Sequence, residues 1–306
     1  MREENVAARE SSKGKVLGIA ISHPDKELWP KSNLGPAVTK LDLANYMARV
    51  AERMLPHVAH RPITVVRAPD GIRKQHFYQR HVLQGTAVPM LSIRTKGEKK
   101  PYLGIDSAKA LVALAQQAVC EIHPWGCRRG DPETPERVIF DLDPAPNVKF
   151  PAVVEGAKEL KKRLEKLGFT PFVKTTGGKG LHVVVAIKGA TWDEAKAFAK
   201  AVATQLAADE PDGYTTNLAK NARGGKIFVD YLRNDKTATG VAPWSPRARD
   251  GATLAVPLTW ASVTARLNPR AFTIHTVAAL LRKPDPWEGL ASTARPIAAA
   301  MKKLGR

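Results

Sequence analysis

Apolar residues recur at three- and four-residue intervals along several stretches of the chain, and each stretch reads as an amphipathic helix. After Thr39 and Asp42, the residues Leu43, Tyr46, Met47, Val50 and Met54 form one stripe, and Pro56 is expected to stop it. A second helix is predicted to open at Asp106 and run through Leu111, Leu114 and Ala118. Pro151 begins a third, in which Val154, Ala157, Leu160, Leu164 and Leu167 align and Gly168 caps the end. A fourth spans Trp192 to Leu206. Short β-rich runs, Val138 to Leu142, Leu181 to Ile187 and Ile227 to Leu232, bracket the third helix and follow it. Strands interleaved with helices, and no repeat of fixed period, predict an α+β (mixed α/β) domain.

Residues 1–14 mix charged and small polar residues without periodicity and read as a flexible leader. From Gly289 to Arg306 there are four basic residues and no acid, and this end is set apart as a basic tail over 291–306. Residues 15–290 are expected to form a single domain.

The chain has 306 residues, of which 43% are hydrophobic, enough to bury a full core and to exclude disorder as its overall state. Forty-eight Lys and Arg oppose twenty-nine Asp and Glu, a formal net charge of +19 that attracts polyanions. No apolar run approaches the ~18 residues of a membrane span, so a membrane partner is not expected. Two cysteines, Cys120 and Cys127, fit a reducing compartment and a cytoplasmic protein. Cys120-x-x-His123-x-x-x-Cys127 lacks a fourth ligand, and structural zinc is not expected.

The sharpest chemical signal is Phe140-Asp141-Leu142-Asp143-Pro144. Side chains alternate along a strand, so both aspartates face one way. Held together they repel unless a cation lies between them; alone, the pair also fits a solvated strand end. Asp230, in Ile227-Phe228-Val229-Asp230-Tyr231, is a second acid embedded in an apolar strand. Three such carboxylates can form a two-metal phosphoryl-transfer site with Mg²⁺ or Mn²⁺ about 4 Å apart.

The segment Lys174-Thr175-Thr176-Gly177-Gly178-Lys179-Gly180-Leu181-His182 joins two strand-like runs. Its amides can approach phosphate oxygens, although it matches neither common nucleotide-binding spacing and also fits a plain hairpin turn. From Tyr214 to Arg249 there are seven Lys or Arg and two acids, with Lys220, Arg223 and Lys226 leading into Asp230, an arrangement suited to a triphosphate. Nine basic residues between His60 and Lys100 surround Phe77-Tyr78, of which one is expected in the core and the other exposed to stack on a base.

The ordered set of motifs, from His23-Pro24-Asp25-Lys26-Glu27-Leu28-Trp29-Pro30 through Arg61-Pro62, Arg67 to Gly71, Glu121 to Trp125, Phe140 to Pro144, Gly177 to His182, Arg223 to Tyr231 and Ala242 to Arg247, resembles the polymerase module of bacterial ATP-dependent DNA ligase D. That family belongs to the archaeo-eukaryotic primase superfamily, and the resemblance covers about Ile21 to Leu290. It implies a central sheet carrying the metal carboxylates, flanked by helices and an N-terminal α/β subregion. It further implies that Asp141, Asp143 and Asp230 bind two Mn²⁺ or Mg²⁺ ions. His123, Thr176, Lys179, His182, Arg223 and Arg247 would surround an incoming rNTP or dNTP. Lys26 and Lys40 would hold the 5'-phosphate of a downstream strand, with Arg67 and Phe77 near the templating base. The implied activity is templated nucleotide addition to 3'-hydroxyl ends at gaps and double-strand breaks, in non-homologous end joining with Ku and a DNA ligase. Two rival readings remain, a two-metal nuclease and a non-catalytic module that binds DNA ends. No Lys-x-Asp-Gly of a ligase nucleotidyl-transfer centre occurs in the chain.

Overall fold

The computed structural model describes residues 14–81, 91–95, 99–219 and 223–305. The leader, apart from Gly14, and Lys220 lie outside them. The chain opens with a hairpin of β1 (Lys15–Val16) and β2 (Ile19–Ala20), then β3 (Glu27–Trp29) paired with β4 (Val38–Thr39). Thr39 caps α1 (Lys40–Val58) in a reciprocal capping box with Asp42, the start its sequence predicts. The helix runs two residues past Pro56 because His57 and Val58 are buried, and their packing outweighs the ~3 kcal/mol cost of an internal proline.

A five-stranded sheet follows. The strand β5 (Ile63–Arg67) pairs with β6 (Phe77–Gln79) and β8 (Tyr102–Gly104) on one side, and β7 (Leu91–Ile93) extends β8. On the other side β5 pairs with β9 (Val119–Pro124), which follows α2 (Ala108–Gln116). This sheet is the N-terminal α/β subregion. The second sheet holds six strands: β10 (Arg137–Pro144), β11 (Phe172–Thr175), β12 (Leu181–Ala186), β13 (Tyr214–Thr215), β14 (Ile227–Asp230) and β15 (Pro257–Leu258). Their order is β13-β14-β10-β12-β11-β15, antiparallel except for β13 on β14. Helix α3 (Phe150–Lys166), with Pro151 in its first turn, and helix α4 (Trp192–Asp209) pack on this sheet. The aromatic rings of Phe140, Phe169 and Phe198 meet between them.

One core of buried apolar residues extends from Val16 to Ala300. The C-terminal end expected to be a tail instead folds onto this core. The short helix α5 (Ala278–Leu281) precedes this end and α6 (Ala298–Lys303) forms within it, where Ile297 and Ala300 are buried and Arg295 bridges to Ile187. A few small apolar residues anchor a segment whose net basic charge points to solvent. Among the described residues no helix is long and apolar enough to cross a membrane.

Candidate active site and nucleic-acid interface

The register of the six-stranded sheet builds the site. Asp141 lies directly opposite Asp230 on β14 and opposite His182 on β12, and His182 lies opposite Lys174 on β11. Directly opposed residues share a face, so Lys174, His182, Asp141 and Asp230 form one polar row across four strands. Asp143, two residues beyond Asp141, points the same way at the mouth. Their neighbours Phe140 and Leu142 are fully buried on the other face, which is what holds this orientation.

Each carboxylate of the row is matched by a cation. The Arg223 guanidinium stacks on the Phe228 ring and pairs with Asp143 at 2.7 Å. Arg233 pairs with Asp230 at 3.1 Å and Asp141 at 3.3 Å. It is placed there by a turn in which Asp230 accepts the Leu232 amide, while Asn234 donates to and accepts from the Ile139 backbone. Burial disfavours ionisation of Asp141, but His182, Arg233 and Lys174 prevail and hold its carboxyl below the usual carboxylate range. Asp230 is raised, by burial and by the charges of Asp141 and Asp143, against the pull of Arg233. Burial and the nearby Lys174 depress His182 to about 4. Lys174 is itself buried, and burial, with Arg247 nearby, pushes its ammonium well down.

Among the described residues no three such side chains are gathered into a ready-made metal cluster. The donor set nevertheless fits a divalent ion: three carboxylates share one face, and the like-charge repulsion that adds to burial in raising Asp230 is what a cation relieves. Arg223 and Arg233 occupy that role here.

A cleft of about 420 Å³ opens over Asp141 and His182 of this row, lined also by His123, Asp143, Thr176, Lys179 and Arg247, whereas Asp230, Lys174 and Arg223 lie outside its lining. Its roof is the glycine loop. A Cβ on Gly180 would overlap the Leu142 carbonyl between the two aspartates, so only glycine lets the loop close on β10. The Thr176 hydroxyl donates to the Gly180 carbonyl at 3.1 Å and Arg247 donates to the Thr176 carbonyl. At the back, Glu121 accepts from the Ala248 amide, and its other oxygen lies 2.7 Å from the His123 ring and 3.1 Å from Arg247. Burial opposes ionisation of Glu121, yet His123 and Arg247 hold it down to about 2. Exposed Lys179 has no partner among the described residues.

The segment carrying Arg247 ties both sheets together. Ala242 donates to Ile122 of β9, Tyr46 of α1 donates to the Trp244 carbonyl at 2.5 Å, and Trp29 of β3 donates to the Arg247 carbonyl at 2.9 Å. Trp244 takes a left-handed backbone conformation, φ 67°, between two prolines, strain that this surrounding packing sustains.

A second pocket, about 270 Å³, is lined by Lys26, Lys40 and Arg67 with His23 and Gln117. Lys40 donates to the Ser22 carbonyl and hydroxyl, and its pKa is lowered by burial and by Lys26. Arg67, expected beside the templating base, shares this pocket with the lysines and is tethered to Gln117 and Gln79. Phe77 lies opposite Arg67 on β6 and outside the pocket. Contrary to expectation neither Phe77 nor Tyr78 enters the core, at 44% and 79% exposed, because β6 is an edge strand.

Sequence reasoning missed Lys174, Arg233 and Arg249 and left Glu121 without a role. Arg249 lines the cleft beside Gly178. Spacing carries a partial signal for two of them: Arg233 follows Asp230 by three residues and Arg249 follows Arg247 by two. Lys174 becomes visible only through the strand register.

A six-stranded sheet thus presents acids under a basic, glycine-roofed cleft. The family model for the LigD primase-polymerase domain matches residues 39–287, and the chain belongs to this family. It is 34% identical over its whole length to the multifunctional non-homologous end joining protein LigD of Pseudomonas aeruginosa, covering 37% of that protein. It is 36% identical to the LigD of Mycobacterium tuberculosis, over 80% of this chain and 33% of the relative. The chain thus spans about a third of the length of these curated relatives. In structure it resembles the polymerase domain of Mycobacterium tuberculosis ligase D in complex with DNA, with TM-score 0.80 and 30% identity, covering 90% of this chain and 98% of that one.

Proposed function

We propose that the chain is a template-directed nucleotidyltransferase that adds rNTP or dNTP to 3'-hydroxyl ends at gaps and double-strand breaks. The carrying observation is the cross-strand row of Asp141, Asp230 and His182, with Asp143 beside it, under a cleft lined by Lys179, Arg247 and Arg249. In the reaction the hydroxyl oxygen bonds to the α-phosphorus and the bond to the bridging oxygen of pyrophosphate breaks. Asp141, Asp143 and Asp230 would hold two Mn²⁺ or Mg²⁺ ions, whose chemistry is to acidify the hydroxyl and offset phosphate charge. For these carboxylates to become ligands, Arg223 and Arg233 must swing off them, and each guanidinium is then free to meet the triphosphate. Lys179 and Arg247 offset charge on the β- and γ-phosphates, and His123 is aimed by Glu121 toward the nucleotide. Burial and Lys174 keep His182 neutral at pH 7, so it can accept or donate one hydrogen bond beside Asp141.

Lys26, Lys40 and Arg67 make a cationic pocket suited to a 5'-phosphate, and Phe77 is exposed to stack on a templating base. The relatives' names and the DNA-bound structural neighbour support a setting in non-homologous end joining; in this reading Ku and a DNA ligase are the partners and the nucleoid the place of action.

Primer extension on a gapped duplex with a downstream 5'-phosphate, Mn²⁺ and separate rNTP or dNTP tests this reading. Asp141→Ala should lower extension by about 10³-fold or more while DNA binding survives. Shortened strands without nucleotides would indicate a nuclease, and an inert, bound duplex a DNA-end-binding module.

A further inference from the structure

Arg137 begins β10, on the same face as Asp141 but about 13 Å along the strand from it. Between them Ile139, Val184, Ala186 and Trp287 form an apolar wall. Beyond that wall lies a separate cavity of about 400 Å³, bounded by residues 128–137, the end of β12 and the turn at Leu290–Ala294. We propose that this cavity is an anion site that takes a phosphate group, held by Arg137, Arg61, Arg128 and Lys188.

Four cationic side chains line it against two carboxylates, Asp131 and Glu136, a formal excess of two positive charges. One oxygen of Glu136 serves two guanidinium groups, Arg61 at 2.5 Å and Arg128 at 3.2 Å. Arg61 also donates to the Cys127 carbonyl, which fixes its plane. Arg137 is left over. It is 6% exposed, its Nε is fully buried, and none of its nitrogens has a partner among the described residues. A lysine in that position can shed its proton; a guanidinium holds its proton and needs an acceptor. The field of this group reaches His57, which burial, Arg137, Arg61 and Lys174 together depress to about 3. Glu136 attracts Arg137 through space but bonds Arg61 and Arg128 instead, so no carboxylate accepts from the Arg137 guanidinium. A guanidinium fork with no acceptor, beside a second fork and a lysine, matches the several oxygens and double charge of a phosphate.

The source is either free phosphate or a phosphate of a polynucleotide, and the test separates them. Thermal unfolding is followed in phosphate and in chloride at equal ionic strength, for the wild type, Arg137→Met, Arg128→Ala and the control Lys26→Ala/Arg247→Ala, which damages the two other basic pockets. Phosphate should raise the midpoint of the wild type and the control by about 3 °C or more. Arg137→Met should lose this response and melt in chloride no lower than the wild type, since an unpaired buried charge is gone; Arg128→Ala should need about tenfold more phosphate. Repeating the titration with saturating gapped DNA assigns the source. A response that persists supports free phosphate at this site, and one already satisfied by DNA supports a polynucleotide phosphate there. No phosphate-specific rise in the wild type, or an equal rise in Arg137→Met and Arg128→Ala, would overturn the proposal and leave an adventitious ion only.

Discussion

Arg233 illustrates how single residues prepare this site. It binds Asp141 and Asp230 at once, so the row is electrically satisfied before any substrate arrives and the cation can be exchanged for another. The same accounting applies behind the row, where His57 packs edge-on against Trp287 at 5.5 Å and stays neutral. Its folded pKa, about 3, lies below the ordinary 6.5, so between these values the unfolded chain binds a proton that the folded chain does not. Stability is therefore lost as pH falls below about 6.5, by about 2 kcal/mol down to pH 5 from this group alone. His57→Phe keeps a ring against Trp287 and removes the proton, so its denaturant-derived stability should fall less steeply than wild type across that range. Parallel curves for the two proteins would refute this assignment. At this scale Asp141 and Asp143 were legible in the sequence, because alternation along a strand is local. Arg233, Lys174 and the orphaned Arg137 were not, since a charge on its own does not reveal its partner.

At the scale of elements, the glycine loop and the segment from Ala242 to Arg249 position the cleft. Gly180→Ala would push the loop off the Leu142 carbonyl and carry Lys179 and Thr176 with it. Extension by that variant should drop about 10- to 100-fold, mostly through a higher KM for nucleotide, while far-ultraviolet circular dichroism stays unchanged. An unaltered KM would show that the loop does not meet the nucleotide. The major helices and three of the six strands in the sheet that carries Asp141 were readable from periodicity and caps, with ends displaced by a few residues. The five-stranded sheet was not, because strands of three residues such as β6, β7 and β8 carry too few alternations to signal themselves. The C-terminal end misled for a related reason: two buried side chains, Ile297 and Ala300, anchor a segment whose composition reads as solvated.

At the scale of the whole molecule, the +19 charge supplies sequence-independent attraction to a polyanion, while the Lys26 pocket adds a local contact. Lys26 is half-exposed and already paired with Asp70 at 2.9 Å, which moderates its effect. Lys26→Ala should weaken binding to gapped DNA bearing a 5'-phosphate by about threefold to tenfold and flatten the logarithmic salt slope by about one. Equal weakening on DNA lacking that phosphate, measured by fluorescence anisotropy, would reduce the contact to general electrostatics. The sequence by itself determined the family through the order of its motifs, the mixed α/β class, the charge, and the shared face of Asp141 and Asp143. These depend on residue identity and on periods of two and 3.6, which act between near neighbours. Only the tertiary structure decided the register that sets Asp230, already grouped with the pair in the sequence, in one row with His182 and Lys174, that Arg223 and Arg233 neutralise it, and that Arg137 faces a cavity of its own. Strand register and side-chain pairing are settled by packing between segments far apart along the chain, where no local pattern reaches.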